Sequence, residues 1–467
     1  MYIKGALLAV VATAAAVSAH NAHLFERGTH NEVTLRYLRR ANVMSAADLA
    51  KVQDPNQQCS YNLNAANMPE LKQGQPFPQS WKIASIQDND QQAKKVWQDI
   101  QSSGIIPGDV QVKSDGGQHN AVSQNGYNSH QDPDCWWTAS GCVTPKHQNI
   151  PSDLASCPEP NTWGLTFDDG PNCSHNAFYD FLSQNKLKAT MFFIGSNAKD
   201  WPLQTQRAIV DGHDLCVHTW SHHYMTTLSN DQAFAELYYT AVAIKAITGV
   251  TPTCWRPPFG DVDDRIRAIA AGLGLRTILW EADTDDWNIS VEGKDKIDQN
   301  YQKIFSEAGQ KNPIVLTHEI DNSTMSEFMG QYNNIKNAYK NVVPVSACQN
   351  VTNPYPEDIT YPTFNQFLNG QTAQGLPDGN TIKVDPQFKY NVVALADQKA
   401  GFANPKNAEE AAKVEQKQSG NSSNASQGSI SDNSNKNSKS SAGTTLGSSS
   451  ATFSALLAVF MIFMLSM

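Results

Sequence analysis

No stretch of these 467 residues is long and apolar enough for a comfortable membrane span, although two runs come close. The N-terminal run Ala6–Val17 and the C-terminal run Phe453–Met467 both fall short of the ~20 apolar residues a helical span needs. A long basic run is also missing, and the net charge is −10. That balance argues against nucleic acid as a partner, while a mildly acidic surface does not repel a neutral or cationic polymer. No two cysteines have the CxxC spacing of a structural zinc site. Apolar content is not scarce: 40% hydrophobic against 17% charged supports a sizeable core, and the length leaves room for one large domain or two.

The short terminal runs have another reading. Lys4, the apolar Ala6–Val17 and the small residues Val17-Ser18-Ala19 have the layout of a secretory signal peptide, residues 1–19. At the other end, Gln416 to Ser450 is Ser/Asn/Lys-rich and is expected to be a disordered stalk, about 416–452. It leads into the apolar tail 453–467. Small residues, a polar spacer and a terminal apolar tail form a GPI-attachment signal, with attachment expected between Ser438 and Gly443. The eight cysteines, an even number, fit an oxidising compartment. The sequons at Asn172, Asn288, Asn322, Asn350, Asn421 and Asn424 fit a secretory route with N-glycans. The expectation is a secreted protein, GPI-anchored at the plasma membrane and cell wall.

Between the termini, residues 20–155 read as an irregular N-terminal extension. Lys94–Gln101 looks helical, Gly116–Asp134 looks like a linker, and Cys135 with Cys142 suggests a small disulfide-closed loop around Trp136-Trp137. That tryptophan pair reads as half-buried packing in preference to a sugar platform. From residue 156 to 350 the pattern becomes regular. Short β-type runs recur at Gly164–Asp168, Thr190–Gly195, Asp214–Thr219, Thr253–Pro257, Thr277–Asp283, Ile314–His318 and Val342–Ser346. Helical segments lie between several of them: one capped by Ser174, a long one capped by Ser229, and one with Ile266, Ile269, Ala270 and Leu273 on one face, stopping at Gly274. Alternating strands and helices imply an α/β fold with a parallel sheet. Seven units over about 190 residues imply an incomplete or distorted (β/α) barrel, since the eight-unit barrel takes ~250. Cys157 and Cys348 flank this segment and are expected to tie its first and last strands. Residues 351–415 read as a C-terminal extension.

Polar residues accumulate where these strands end. Asp168 and Asp169 end the first, within Thr166-Phe167-Asp168-Asp169-Gly170-Pro171. Two adjacent carboxylates raise one another's pKa, so a strand end that keeps both usually has a cation between them or a task for each. His218 and His222 follow the third strand, Arg256-Pro257-Pro258-Phe259-Gly260 the fourth, Asp283, Asp285, Asp286 and Trp287 the fifth, and His318-Glu319 the sixth. In a parallel (β/α) barrel the carboxyl ends of the strands form one rim, where active sites lie. The four-residue spacing of His218 and His222 puts both rings on one side of a helical turn. With Asp169 they make a two-His, one-carboxylate set with an open position, suited to catalytic zinc and also to iron. His223 is an alternative to His222 with poorer spacing.

Taken together, Thr166–Pro171, His218–His222, Arg256–Gly260, Asp283–Trp287 and Ile314–Glu319 resemble the five ordered motifs of the NodB-like polysaccharide deacetylases, carbohydrate esterase family 4. The resemblance covers roughly Cys157 to Cys348, and the secreted, Ser-rich, GPI-tailed layout resembles the fungal chitin deacetylases of that family. Two positions depart from the pattern: Glu319 stands where many members have Asp, and Phe259 where many have Tyr. The resemblance implies that Asp169, His218 and His222 bind a divalent metal, with zinc expected and cobalt as an alternative. It implies that Asp168 is the general base, paired with Arg256, and that the Phe259 N–H receives the oxyanion. His318 is then the general acid, held by an aspartate of the fourth motif, Asp286 ahead of Asp283, and Trp287 and Leu316 line the acetyl pocket. The expected reaction is metal-dependent removal of N-acetyl groups from chitin. The alternatives are an acetylated polymer such as xylan, or an inert cell-wall mannoprotein. A GPI tail argues against a peptidoglycan substrate.

Overall fold

Strand β1, Thr162–Gly170, is buried along nearly its whole length, as a central strand flanked on both faces must be. It is described by a computed structural model covering residues 44–61, 77–114, 122–124, 126–385 and 401–402. The expected signal peptide, stalk, C-terminal tail and the sequons at Asn421 and Asn424 lie outside those residues. Around β1 the sheet is parallel: β2 (Thr190–Phe193), β3 (Asp214–Val217), β4 (Cys254–Trp255) and β5 (Arg276–Thr277) follow in order on one side. On the other side lie β7 (Ile314–Leu316) and β6 (Ala282–Asp283), while β8 (Asn341–Val343) also pairs with β1. The result is the expected incomplete barrel. Its departure from the expected strand count has a local cause. The run Thr277–Asp283 is not one strand but two, because the backbone of Ile278 and Leu279 turns to Trp255 and Leu154 before Ala282 joins β7.

The long helix Asn230–Thr248 is buried almost all round, as its mainly apolar composition requires. Ser229 and Gln232 form its capping box, and Gly249, at φ 81, ends it. The helix Asp264–Gly272 ends at Leu273 and Gly274 as expected. Ser174 does not cap its helix, which starts later, at Asn176. The Ser174 N–H and hydroxyl both turn back to Asn172 Oδ1 instead.

The eight cysteines form four disulfides, with none free. Cys135–Cys142 closes the small loop, and Cys157–Cys348 ties the start of the sheet to the segment after β8. Closing a loop of that length contributes about 5 kcal/mol in the chain-entropy account. From Ser45 onward the N-terminal extension packs as part of the same compact unit as the sheet. Its helix Gln91–Ser102 sets Trp97 against Phe234 of the long helix. Residues 126–134, within the expected linker, are also ordered: Tyr127 donates to Asp132, and Asp132 receives the Trp136 N–H. Trp136 is fully buried and Trp137 half-buried, which is the packing reading of that pair. Among the described residues no helix is long and apolar enough to cross a membrane.

Candidate active site

Residues on an ideal strand alternate between faces, so Asp168 and Asp169 at the end of β1 would point apart. The structure avoids this with an irregularity. The β1–β2 register shifts between Asp168 and Gly170, and Asp169 takes a left-handed backbone at φ 70. Both carboxylates then approach the same imidazole: His218 Nε2 lies 3.7 Å from Asp168 Oδ2 and 3.3 Å from Asp169 Oδ1. The peptide after Asp169, Gly170–Pro171, is cis at the proline. A side chain on Gly170 would place its Cβ 1.6 Å from Glu319 Oε1, so it would displace the buried Glu319 carboxylate.

His218 and His222 do meet, though not across a helical turn. They lie on an irregular loop after β3, with Thr219 at φ 65 and His222 at φ 57 reversing the chain between them. Thr219 Oγ1 receives the His222 N–H. His222 Nε2 comes within 3.2 Å of Asp169 Oδ1. His223 Nδ1 instead faces the oxygens of Ser221, leaving that ring outside the cluster. His218 Nδ1 sits 2.8 Å from the Arg256 carbonyl, which can only accept, so the proton is on Nδ1 and the Nε2 lone pair faces Asp169.

The three ligand atoms of Asp169, His218 and His222 lie within 4.8 Å of one another. Asp169 Oδ1 is buried and receives no hydrogen bond although two imidazole nitrogens face it. A buried carboxylate among neutral rings is stabilised by a cation, and two histidines with one carboxylate suit a divalent metal. The residues present therefore fit such an ion.

Asp168, 2% exposed, receives Arg256 Nη1 at 2.7 Å. Arg256 is itself fully buried, and its other donors reach Thr166 Oγ1 at 2.9 Å and the carbonyls of Ile278 and Leu279. The guanidinium is thus a fixed fork, oriented whether or not it is paired. Across β1, the Asp168 N–H bonds to the Thr317 carbonyl and the Glu319 N–H to the Asp168 carbonyl, so His318 is held beside Asp168 by backbone pairing. His318 Nδ1 lies 2.6 Å from Asp286 Oδ1, while Asp286 Oδ2 receives the His318 N–H. Burial opposes the charge on His318, but Asp286 in contact, with Asp169 and Asp168 nearby, raises its pKa to about 10.

The remaining expected residues form the surroundings. Asp283 pairs with Leu316 across β6 and β7, and burial together with Asp285 pushes its carboxyl up to about 7. Asp283 holds the Asp285 N–H and does not hold His318, so the histidine's partner is Asp286. Trp287 is half-buried on the turn Asp286–Asn288. Phe259, 40% exposed, stacks on Tyr224 at 4.2 Å and touches the His222 ring.

Several neighbours had no role assigned to them from the sequence. Asn197 Nδ2 donates to the Asp169 carbonyl, holding the left-handed residue in place. Thr166 Oγ1 bridges Arg256 to the Val315 carbonyl. Glu319 is wholly buried against Gly170, and burial raises its pKa to about 8. Thr166 and Glu319 lie inside the quoted motifs, which was the available signal. Asn197 gave none, being one polar residue at a helix start.

Residues 155–278 match the profile of the polysaccharide deacetylases. The chain is 48% identical over 346 residues to chitin deacetylase 2 of Cryptococcus neoformans var. grubii, covering 72% of this chain and 74% of that protein. It is 44% identical over 328 residues to the chitin deacetylase of Amylomyces rouxii, covering 68% and 75% respectively. Among solved structures, the chitin deacetylase of Colletotrichum lindemuthianum aligns at 26% identity and a TM-score of 0.39, covering 42% of this chain and 91% of that one.

Proposed function

The chain belongs to the polysaccharide deacetylase family, and from that membership and the site's geometry we propose that it is a metal-dependent chitin N-deacetylase acting at the cell wall. The observation that carries this reading is the convergence of three units on one rim: the Asp169, His218, His222 cluster, the buried Asp168–Arg256 pair and the His318–Asp286 pair. A divalent ion held by the first unit, with zinc favoured for two imidazoles and a carboxylate, supplies Lewis-acid polarisation of the acetamide carbonyl and acidifies water.

The chain's own residues account for the proton traffic. Asp168, aimed by Arg256, takes a proton from the attacking water. The Phe259 N–H, on the loop beside His222, meets the negative charge that develops on the carbonyl oxygen. His318 is held protonated by Asp286 and donates from Nε2 to the departing amine. Leu316 and Trp287 shape the acetyl pocket. The four disulfides, an arrangement of oxidising compartments, support a secretory route. The proposed anchoring through a GPI lipid rests on the C-terminal sequence pattern.

Purified protein incubated with chitin oligomers, and in parallel with acetylated xylan, tests the substrate. Acetate from the first and little from the second is expected. Preferential release from xylan would replace chitin as the substrate, and release from neither would favour the inert wall protein.

A further inference from the structure

The loop that carries Phe259 has an unfavourable backbone. Phe259 (φ 59) and Gly260 (φ 69) are consecutive left-handed residues, and a bulky aromatic adopts that conformation only when its surroundings enforce it. Tyr224 and His222 contact the Phe259 ring from within the segment that matches the deacetylase profile, residues 155–278, but further groups that hold the turn come from outside it. They belong to the disulfide-closed loop Cys135–Cys142 of the N-terminal extension.

Three contacts make the clamp. The Trp137 ring lies on the Gly260 α-carbon so closely that an added Cβ would sit 2.3 Å from it. The Trp137 N–H donates to the Val262 carbonyl at 3.0 Å. Asp261, fully buried, accepts from Trp136 Nε1 at 2.8 Å and Thr138 Oγ1 at 2.7 Å through one oxygen. Its other oxygen accepts from the N–H and hydroxyl of Thr226, on the turn after His222. The loop is fastened in turn by Arg267, which donates to the carbonyls of Cys135 and Cys142 and pairs with Asp153. Trp137 also packs on Trp280, whose ring lies beside the guanidinium of Arg256.

We propose that Trp137 and Asp261 are positioning residues for the deacetylation: the Cys135–Cys142 loop sets the Pro258–Gly260 turn so that the Phe259 N–H meets the developing oxyanion. This rests on the deacetylase reading above. A group that acts on the transition state is needed for turnover more than for binding. Removing a whole oxyanion donor costs ~10²–10³ in kcat, and a displaced donor is expected to cost at least about tenfold.

The test compares wild type with Trp137→Ala, Trp137→Phe and Thr138→Val, measuring kcat and KM on chitin oligomers, metal content and Tm. The expected result for Trp137→Ala is a kcat at least about tenfold lower, with KM changed less than about threefold and metal retained. Trp137→Phe, which keeps an aromatic ring on Gly260, recovers most of the rate. Thr138→Val, which removes one bond to Asp261, falls between, and it carries the test alone if Trp137→Ala is not secreted. A lowered Tm with unchanged kcat would make the loop merely structural and overturn the proposal. A raised KM with unchanged kcat would overturn it in favour of a sugar-stacking role. Wild-type protein that releases no acetate would defeat the deacetylase reading instead.

Discussion

Replacing Asp168 with asparagine separates chemistry from architecture, because the structure states what each loses. The carboxylate stands beside the ligand triad, 3.7 Å from His218 Nε2, without belonging to it. Its loss is expected to lower kcat by ~10²–10⁴, the usual contribution of a general base, which is about 3–5 kcal/mol on the barrier. The fold should lose less. Removing the partner of a buried ion pair typically costs about 3–5 kcal/mol because a bare charge is left behind. Here the guanidinium keeps Thr166 Oγ1 and the carbonyls of Ile278 and Leu279, and an asparagine still offers Nη1 an oxygen. A cost of about 1–3 kcal/mol follows, tolerable for a domain of ordinary stability. Steady-state acetate release, metal content and thermal unfolding of Asp168→Asn measure the three quantities together. A folded, metal-loaded variant that turns over within threefold of wild type would refute the base assignment.

Other perturbations address the remaining units. His222→Ala should abolish metal binding and activity in a folded protein, since the His223 ring faces Ser221 and cannot replace it. Stoichiometric metal in His222→Ala would contradict this. Asp286→Asn removes the main group raising the His318 pKa. A general acid works only while protonated, so the alkaline limb of the kcat profile should move to lower pH by more than a unit, and an unmoved limb would show another group is the acid. Away from the site, burial pushes the Asp214 carboxyl up from 3.8 to about 6. The folded state therefore holds its proton where the unfolded chain has released it. This contribution is full below about pH 4 and is lost as pH rises through 6, by about 3 kcal/mol. Asp214→Asn should remove that slope from unfolding curves measured between pH 4 and 7. Parallel curves for the two proteins would show that Asp214 titrates normally.

The sheet was legible because buried parallel strands are short, apolar and bounded by polar ends, and β1, β2, β3 and β7 have that form. The fifth strand was misjudged because Thr277–Asp283 is apolar enough for one strand, and only the sheet's curl divides it. That the candidate residues gather on one rim could be read from strand-end chemistry, but the backbone that carries them could not. The spacing of His218 and His222 has two physical solutions, and the left-handed Thr219 and His222 select the loop. The roles of Asn197 and of the Cys135–Cys142 loop depend on contacts between residues more than 20 apart in sequence, which no local pattern announces.

The central claim is that Asp169, His218 and His222 hold a divalent ion without which the acetamide is not hydrolysed. The most direct measurement is acetate release from chitin oligomers by one preparation of the protein, followed through chelation and then titration with zinc, with bound metal determined at each step. The account predicts that activity disappears on chelation, returns with zinc, and reaches its maximum at one ion per chain. Undiminished acetate release from demonstrably metal-free protein would contradict it.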